Sequence, residues 1–294
     1  MWNAEPSVSL FRGALIASIA FVLAGCGNAV RLEVVEDACL GDPDKVAPGI
    51  CGCGIAEGRC LALKDALIHR YPFDGTGSVA VDQVGGADGT IMNTALGGLG
   101  QLDLAREGEL EQYVDLPNGI ISPLSSATFE AWVIWQPPAP VPFWERIFDF
   151  GVSTAGEDKR DSGKSYLFLA PGGPGNEPDV PRTAFRDLNL TGEVILDSVE
   201  TFPTERLFEV AVVVDAAAHE LRLYLDSREQ RRVTLTEPLS GIQDVNNWLG
   251  RSQFAKDARF GGSFLEFRIY DKALSPAELA DSYRFGDSPD FLTK

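Results

Sequence analysis

The chain has 294 residues, is 45% hydrophobic, and carries 43 acidic against 25 basic residues, for a formal charge of −18 at pH 7. Such a surface repels phosphate backbones and anionic headgroups, which excludes nucleic-acid binding and leaves divalent cations, neutral glycans or a basic partner as compatible ligands. There are two histidines and five cysteines, and all the cysteines precede residue 61, so the long remainder relies on apolar burial alone.

A lone cation, Arg12, precedes the apolar run Ala14 to Gly25. As a helix this run would reach ~18 Å, too short for a ~30 Å hydrocarbon core. It ends in small residues, as a secretory signal peptide over residues 1–25 would. Leu23-Ala24-Gly25-Cys26 resembles the lipobox of bacterial lipoproteins. That resemblance implies cleavage before Cys26, lipidation of its thiol and a lipid-linked tether over residues 26–36. It places the protein outside the cytoplasm, held in the cell envelope by its anchor alone. Gly27, where an aspartate would signal retention, points by the same resemblance to the outer membrane.

Residues 37–60 are rich in Gly, Pro and Asp and hold Cys39, Cys51, Cys53 and Cys60. No helix or long strand is expected there; in an exported chain, clustered cysteines favour two disulfides over a metal site. Cys51 and Cys53 are too close to pair with each other. Cys39–Cys51 with Cys53–Cys60 is the preferred connectivity, with Cys39–Cys53 and Cys51–Cys60 as the alternative. The segment resembles short Asp-Cys…Asp-Pro…Cys-Gly-Cys-Gly stretches that precede β-sandwich modules in exported bacterial proteins. Asp37, Asp42 and Asp44 match acidic calcium loops by analogy, or else are solvated carboxylates of a stapled spacer.

From residue 67 the apolar period is two. Thr128 to Trp135 is a run of strand formers ended by Pro137-Pro138-Ala139-Pro140. Phe208, Val210, Val212 and Val214 share one strand face; after a turn, Leu221, Leu223 and Leu225 alternate with polar residues, and Val233 and Leu235 continue the meander. Leu265, Phe267 and Ile269 alternate with Phe264, Glu266, Arg268 and Tyr270. Many short strands punctuated by Gly, Pro and Asp predict an all-β antiparallel sandwich over residues 61–294. One short C-terminal helix is signalled by Ser275 as N-cap, Pro276 at the first helical position, Glu278 closing a capping box, and Leu274 with Leu279 as a staple. It is expected to cover one end of the sandwich.

Three blocks resemble the laminin G-like, concanavalin A-like jelly-roll family of exported bacterial proteins. They are Tyr71-Pro-Phe73-Asp74-Gly75 with Asp82 and Asp88; Phe129-Glu-Ala-Trp132 with Trp144-Glu-Arg146-Ile-Phe148-Asp149; and Trp248-Leu-Gly250-Arg251-Ser252 with Glu266-Phe267-Arg268-Ile269-Tyr270. The resemblance implies a two-sheet jelly roll in which Trp132 and Trp248 fill the space between sheets, Gly250 and Gly261 make tight turns, and Arg251 or Arg268 pairs with a carboxylate. Asp74, Asp82, Asp88 and Glu266 lie in blocks that resemble positions near a structural calcium site at the rim. Two departures stand out. Leu265 replaces the aspartate usual before Glu266, which weakens that site, and Ser227 replaces the glycine usual after Asp226, which strains or re-routes the turn.

Concanavalin A-like sandwiches include β-glucanases with paired acids in a Glu-x-Asp-x-x-Glu strand, a pattern this chain lacks. Neither His69 nor His219 has metal-ligand spacing, and Gly163-Lys164-Ser165 precedes a strand-like run rather than the helix a phosphate loop needs. The expected activity is therefore non-catalytic binding of a glycan or surface protein. The rival is a purely structural envelope role, with a glycoside hydrolase a distant third. Trp135, Phe143 and Trp144, near the Pro-rich turn, are candidates for stacking on a sugar, close to two long loops at 153–164 and 171–182.

Overall fold

The computed structural model describes residues 38–173, 180–189 and 192–287, together with Pro289 and Leu292. The expected signal peptide over residues 1–25, Cys26, the expected tether and Asp37 lie outside the described residues. Helix α1 (Glu57–Ala66) leads into β1 (Leu67–Tyr71), β2 (Thr76–Gly77), β3 (Val79–Ala80), β4 (Gly89–Met92), β5 (Leu96–Gly97), β6 (Leu102–Leu104) and β7 (Tyr113–Leu116). The long strands follow: β8 (Ala127–Trp135), β9 (Phe148–Ser153), β10 (Gly163–Ala170), β11 (Arg182–Arg186), β12 (Val194–Asp197), β13 (Leu207–Asp215), β14 (Glu220–Leu225) and β15 (Arg228–Thr234). The chain closes with β16 (Asn246–Leu249), β17 (Gly262–Tyr270) and α2 (Pro276–Phe285).

Fifteen of these strands make two antiparallel sheets, as the alternation predicts, and β2 pairs with β5 in a separate two-stranded ribbon. One has seven strands in the order β1-β17-β8-β13-β14-β15, with β6 also on β17, and the other has eight in the order β12-β11-β10-β9-β16-β7-β4-β3. Strand pleat sends alternate side chains inward. Phe208, Val210, Val212 and Val214 from β13, and Leu221, Leu223 and Leu225 from β14, join the core between the sheets. At its centre Phe148 stacks on Phe150 at 4.9 Å, and Phe129 and Phe267 pack against both rings at 5.5–6.0 Å.

Three expectations are corrected here. Trp132 and Trp248 do not lie between the sheets. Alternation turns them to the two outer faces, where guanidiniums cover them, and Trp135 occupies the core instead. Leu265 does not share a face with Phe267 and Ile269. The β17–β8 register shifts between Phe264 and Glu266, so Leu265 is the extra residue of a bulge and Phe264 takes the inward position. Helix α2 has the capping box and the N-terminal proline. It packs on the outer face of the seven-stranded sheet, with Leu279 against Ala211, Val213, Tyr224 and Tyr270, rather than on an end of the sandwich.

The stapled segment corrects two more. Its last residues are helical, because α1 begins at Glu57 and runs across residue 60 to pack Leu63 and Ala66 on the same outer face. The disulfides are Cys39–Cys53 and Cys51–Cys60, with Cα separations of 5.4 and 6.0 Å. The helix is the reason. It carries Cys60 inward to meet Cys51 and Ile55 in a small core, and leaves the more exposed Cys53 to Cys39.

Ser227 is accommodated without re-routing. Asp226 (φ 46°) and Ser227 (φ 60°) form a two-residue hairpin turn with both residues left-handed. Glu209 clamps it: its carbonyl accepts the Asp226 N–H at 2.9 Å, and its Oε2 accepts the Ser227 N–H at 2.9 Å. Ser227→Gly keeps both bonds and removes the Cβ penalty. It is expected to raise the unfolding free energy by about 0.5–1 kcal/mol in urea titration; an unchanged or lower midpoint would contradict a strained turn.

Candidate ligand-binding site

The outer face of the eight-stranded sheet is built from residues that register places side by side. Ala184, Phe168, Asp149, Trp248 and Asp115 form one row across β11, β10, β9, β16 and β7. The 250–259 loop lies over this row and is tied to the 153–164 loop. Arg160 donates to the Phe254 and Asp257 carbonyls at 2.7 and 2.8 Å, and Asp161 exchanges backbone bonds with Gln253 and Ala255.

Where the loop stops short, a cleft of about 190 Å³ opens, lined by Trp144, Arg146, Phe168, Arg182, Glu193, Phe254 and Asp257. Arg146 is its floor. The guanidinium centre sits 3.9 Å from the Phe168 ring centroid, with Nε donating to Asp149 at 3.2 Å, Nη1 to the Trp144 carbonyl at 2.8 Å, and Nη2 2.9 Å from Asp257. Trp144 is left-handed (φ 64°), which turns its indole back over the cleft, and its N–H reaches the Gly172 carbonyl at 3.3 Å. Arg182 grips Asp197 through two bonds of 2.5 and 2.8 Å, with its charge 5.5 Å from the Trp144 ring. Phe254 packs edge-on against Tyr166, whose hydroxyl donates to Glu193. Burial pushes the Asp149 carboxyl up to about 6 even with Arg146 beside it, and burial raises Asp257 as well.

Beside the cleft, Arg251 lies between the Tyr113 and Trp248 rings at 4.2 and 4.0 Å and donates to Glu111 at 3.0 Å. It stiffens the loop that walls the site. Gly250 starts that loop at φ 82°, where a Cβ would come within 2.4 Å of Leu104.

Of the three aromatic candidates, Trp144 lines the cleft. Phe143 is exposed next to it, and Trp135 is buried with its indole N–H on Glu145. The two arginines, Phe168 and Glu193 come from separate segments, Phe254 and Asp257 from the 250–259 loop, and together they carry no joint motif. Trp144-Glu145-Arg146 was their only local signal. Of the 171–182 loop, Gly172 and Arg182 reach the cleft, and residues 174–179 lie outside the described residues.

The four calcium candidates lie elsewhere and do not converge. Among the described residues, no three of these carboxylates come within 4.8 Å of one another. Asp82 accepts backbone N–H groups of Arg70, Val84, Gly85 and Ala87 at 2.9–3.1 Å, and sits 2.7 Å from His69 Nδ1. Asp88 accepts the Asp82 N–H, Asp74 the Gln83 amide, and Glu266 both Arg70 and Arg268. Asp42 likewise accepts from Gly54 and Asp44. Oxygens facing N–H groups are a donor set that does not fit a calcium ion. Burial alone would raise the Asp82 carboxyl, but the His69 and backbone bonds outweigh it and hold it below the usual range. Its contribution is therefore complete above the unfolded carboxylate pKa and is lost as pH falls through the depressed native value. Asp82→Asn is expected to cost about 2 kcal/mol at pH 7 and to flatten the acid limb of the stability curve. Adding calcium after chelation should leave the wild-type melting temperature unchanged.

The family model of the concanavalin A-like lectin/glucanases superfamily matches residues 107–280, and the chain belongs to that superfamily. No curated protein sequence matches it. Among solved structures it is similar to domain 4 of AbnA, an extracellular GH43 arabinanase from Geobacillus stearothermophilus, in complex with arabinotriose (TM-score 0.51, 19% identity, covering 73% of this chain and 97% of that one). It is also similar to the botulinum neurotoxin serotype D binding domain (TM-score 0.55, 13% identity, 76% of this chain and 52% of that one). A third is a structure of botulinum neurotoxin type C, which interacts with two ganglioside molecules (TM-score 0.54, 11% identity, 76% and 52%). The chain spans about half the length of these toxin chains. At such identities the likeness establishes the fold.

Proposed function

We propose that this is a non-catalytic recognition module that binds a neutral glycan in the Trp144–Arg182 cleft, held in the bacterial cell envelope through a lipid on Cys26. The observation that carries the reading is the cleft's chemistry: aromatic walls at Trp144 and Phe254, with guanidinium donors and carboxylate acceptors at the edge. A sugar ring presents apolar C–H faces and a rim of hydroxyls, which this mixture matches. Each arginine is already paired, Arg146 with Asp149 and Asp257 and Arg182 with Asp197, so the cleft has no surplus positive charge to draw an anionic ligand. At about 190 Å³ it is smaller than the ~300–1,000 Å³ of drug-sized pockets, which suits one or two rings of a chain. The arabinotriose complex of the arabinanase domain and the gangliosides of the toxin lend general support to a glycan ligand on this fold.

A non-catalytic role is supported by the cleft's carboxylates. Asp257 is held by Arg146 and Ser252, and Glu193 by the Tyr166 hydroxyl. A glycosidase needs a carboxyl pair poised on either side of the scissile bond.

On an array of neutral and acidic oligosaccharides, the exported domain is expected to retain neutral chains. Trp144→Ala and Arg182→Ala should each weaken retention about tenfold, the loss of one good contact. An array without a hit, together with recovery of an envelope protein partner, would favour the structural role; hydrolysis of a retained chain would reinstate an enzyme. Metabolic labelling with a fatty acid should mark the wild type and not Cys26→Ser. Labelling of the serine variant would remove the anchor from the reading.

A further inference from the structure

The outer face of the seven-stranded sheet carries a charge cluster that the cleft does not use. Register sets Glu130 (β8) opposite Arg268 (β17), which in turn faces Arg70 (β1), and sets Glu209 (β13) opposite Trp132, which faces Glu266. Glu130 and Glu209 are thus diagonal neighbours on adjacent strands, their Cβ atoms about 7 Å apart. Both are fully buried, as are Glu266, Arg268 and, nearly so, Arg70. Glu266 takes both guanidiniums: Arg70 through two bonds of 2.8 and 3.0 Å, and Arg268 through its Nε. Arg268 lies 3.7 Å from Glu130 and caps the Trp132 ring at 4.0 Å. Three carboxylates share two cations, so the cluster is one positive charge short.

The shortfall is centred on the two glutamates. Glu130 Oε2 accepts from Tyr270 at 3.1 Å and from Ser282 of α2 at 2.7 Å, and Glu209 Oε2 accepts the Ser227 N–H at 2.9 Å. The Oε1 atom of each is buried without a hydrogen-bond partner. Of the other charged groups around them among the described residues, none makes an ion pair with Glu209, and Arg284 is turned to the Gly54 carbonyl at 3.1 Å. Asp226 faces Arg206, Asp281 of α2 is gripped by Arg59 of α1 at 2.9 Å, and Arg284 and Asp287 lie at the rim of a cleft over Glu209. An unpaired charge at this depth costs several kcal/mol, which a proton removes. Burial raises Glu130, and burial with the Glu130 charge raises Glu209 well above the ordinary range.

Helix α2 is the lid of this cluster and the bridge to the stapled segment. Below, Ser282 bonds Glu130 and Arg268, and Arg268 reaches the Gly286 carbonyl at 2.6 Å. Above, Arg284 reaches the Gly54 carbonyl at 3.1 Å, and Phe285 packs on Cys51, Ile55 and Cys60. We propose that Glu130 and Glu209 form a pH-operated latch. A proton shared by the buried pair seats α2, and its loss as pH rises releases α2 together with the stapled segment from the jelly roll. This is independent of what the Trp144 cleft binds.

Carboxyls raised in the folded state contribute stability that is complete below the unfolded value and is lost as pH rises towards and through the native one. Hydrogen exchange of α2 amides between about pH 6 and 9, corrected for the intrinsic chemical rate, reads that loss, with β9 and β10 as internal reference. In the wild type the α2 opening constant is expected to rise by up to about tenfold per pH unit relative to the reference. In Glu209→Gln, where the amide stands in for the protonated acid, it should stay flat. An α2 opening constant that is flat in the wild type, or equally steep in the variant, overturns the latch. If Glu209→Gln does not fold, infrared spectroscopy of the wild type decides. A protonated-carboxyl C=O band that persists at about pH 8 and fades as α2 opens supports the latch, and no such band at that pH overturns it.

Discussion

Both sheets of this jelly roll are covered on their outer faces, so charged side chains that strand alternation sends outward must be neutralised where they stand. A buried ion without a partner costs several kcal/mol, and a paired one roughly breaks even. The arrangement around each sheet follows from that constraint. On the eight-stranded sheet Arg146 is balanced by Asp149 and Asp257, and Arg251 by Glu111, and these pairs hold down the 250–259 loop. On the seven-stranded sheet Arg70 and Arg268 share Glu266, and the residual imbalance falls on Glu130 and Glu209 beneath α2.

The two faces put this electrostatic requirement to different uses. Beside the loop, paired guanidiniums lie against Phe168, Trp144 and Trp248, giving flat amphipathic surfaces fixed by several bonds each. For the proposed glycan, donors would be already oriented, so little ordering entropy would be lost on binding. Under α2 the same chemistry is sealed by a helix that also grips the N-terminal staple. The Trp144 cleft and the stapled N-terminal segment therefore lie on opposite sides of one core.

How much of this was legible in sequence depended on how local each determinant is. The inward stripe of β13 and β14 and the capping box of α2 are written in neighbouring residues, and they stand as expected. The bulge at Leu265 is not, because it exists only as a mismatch between β17 and β8. Trp132 and Trp248 were misplaced between the sheets since size and apolarity argued for the core, whereas pleat parity put them outside under arginines. The disulfide pairing turned on a helix beginning at Glu57 with no side-chain cap to announce it. Trp144 was singled out as an aromatic near a Pro-rich turn, but its partners arrive from β10, β11 and two loops.

By itself, then, the sequence determined the strand periodicity, the C-terminal helix with its cap, the covalently stapled front segment and the superfamily, because those depend on spacing along the chain. Tertiary structure decided which cysteines join, which tryptophans face outward, that the proposed calcium ligands answer to N–H donors, and that Trp144 shares a cleft with Arg146 and Arg182. Each of these rests on contacts between residues far apart in sequence, set by strand register and by the cost of leaving a buried charge without a partner.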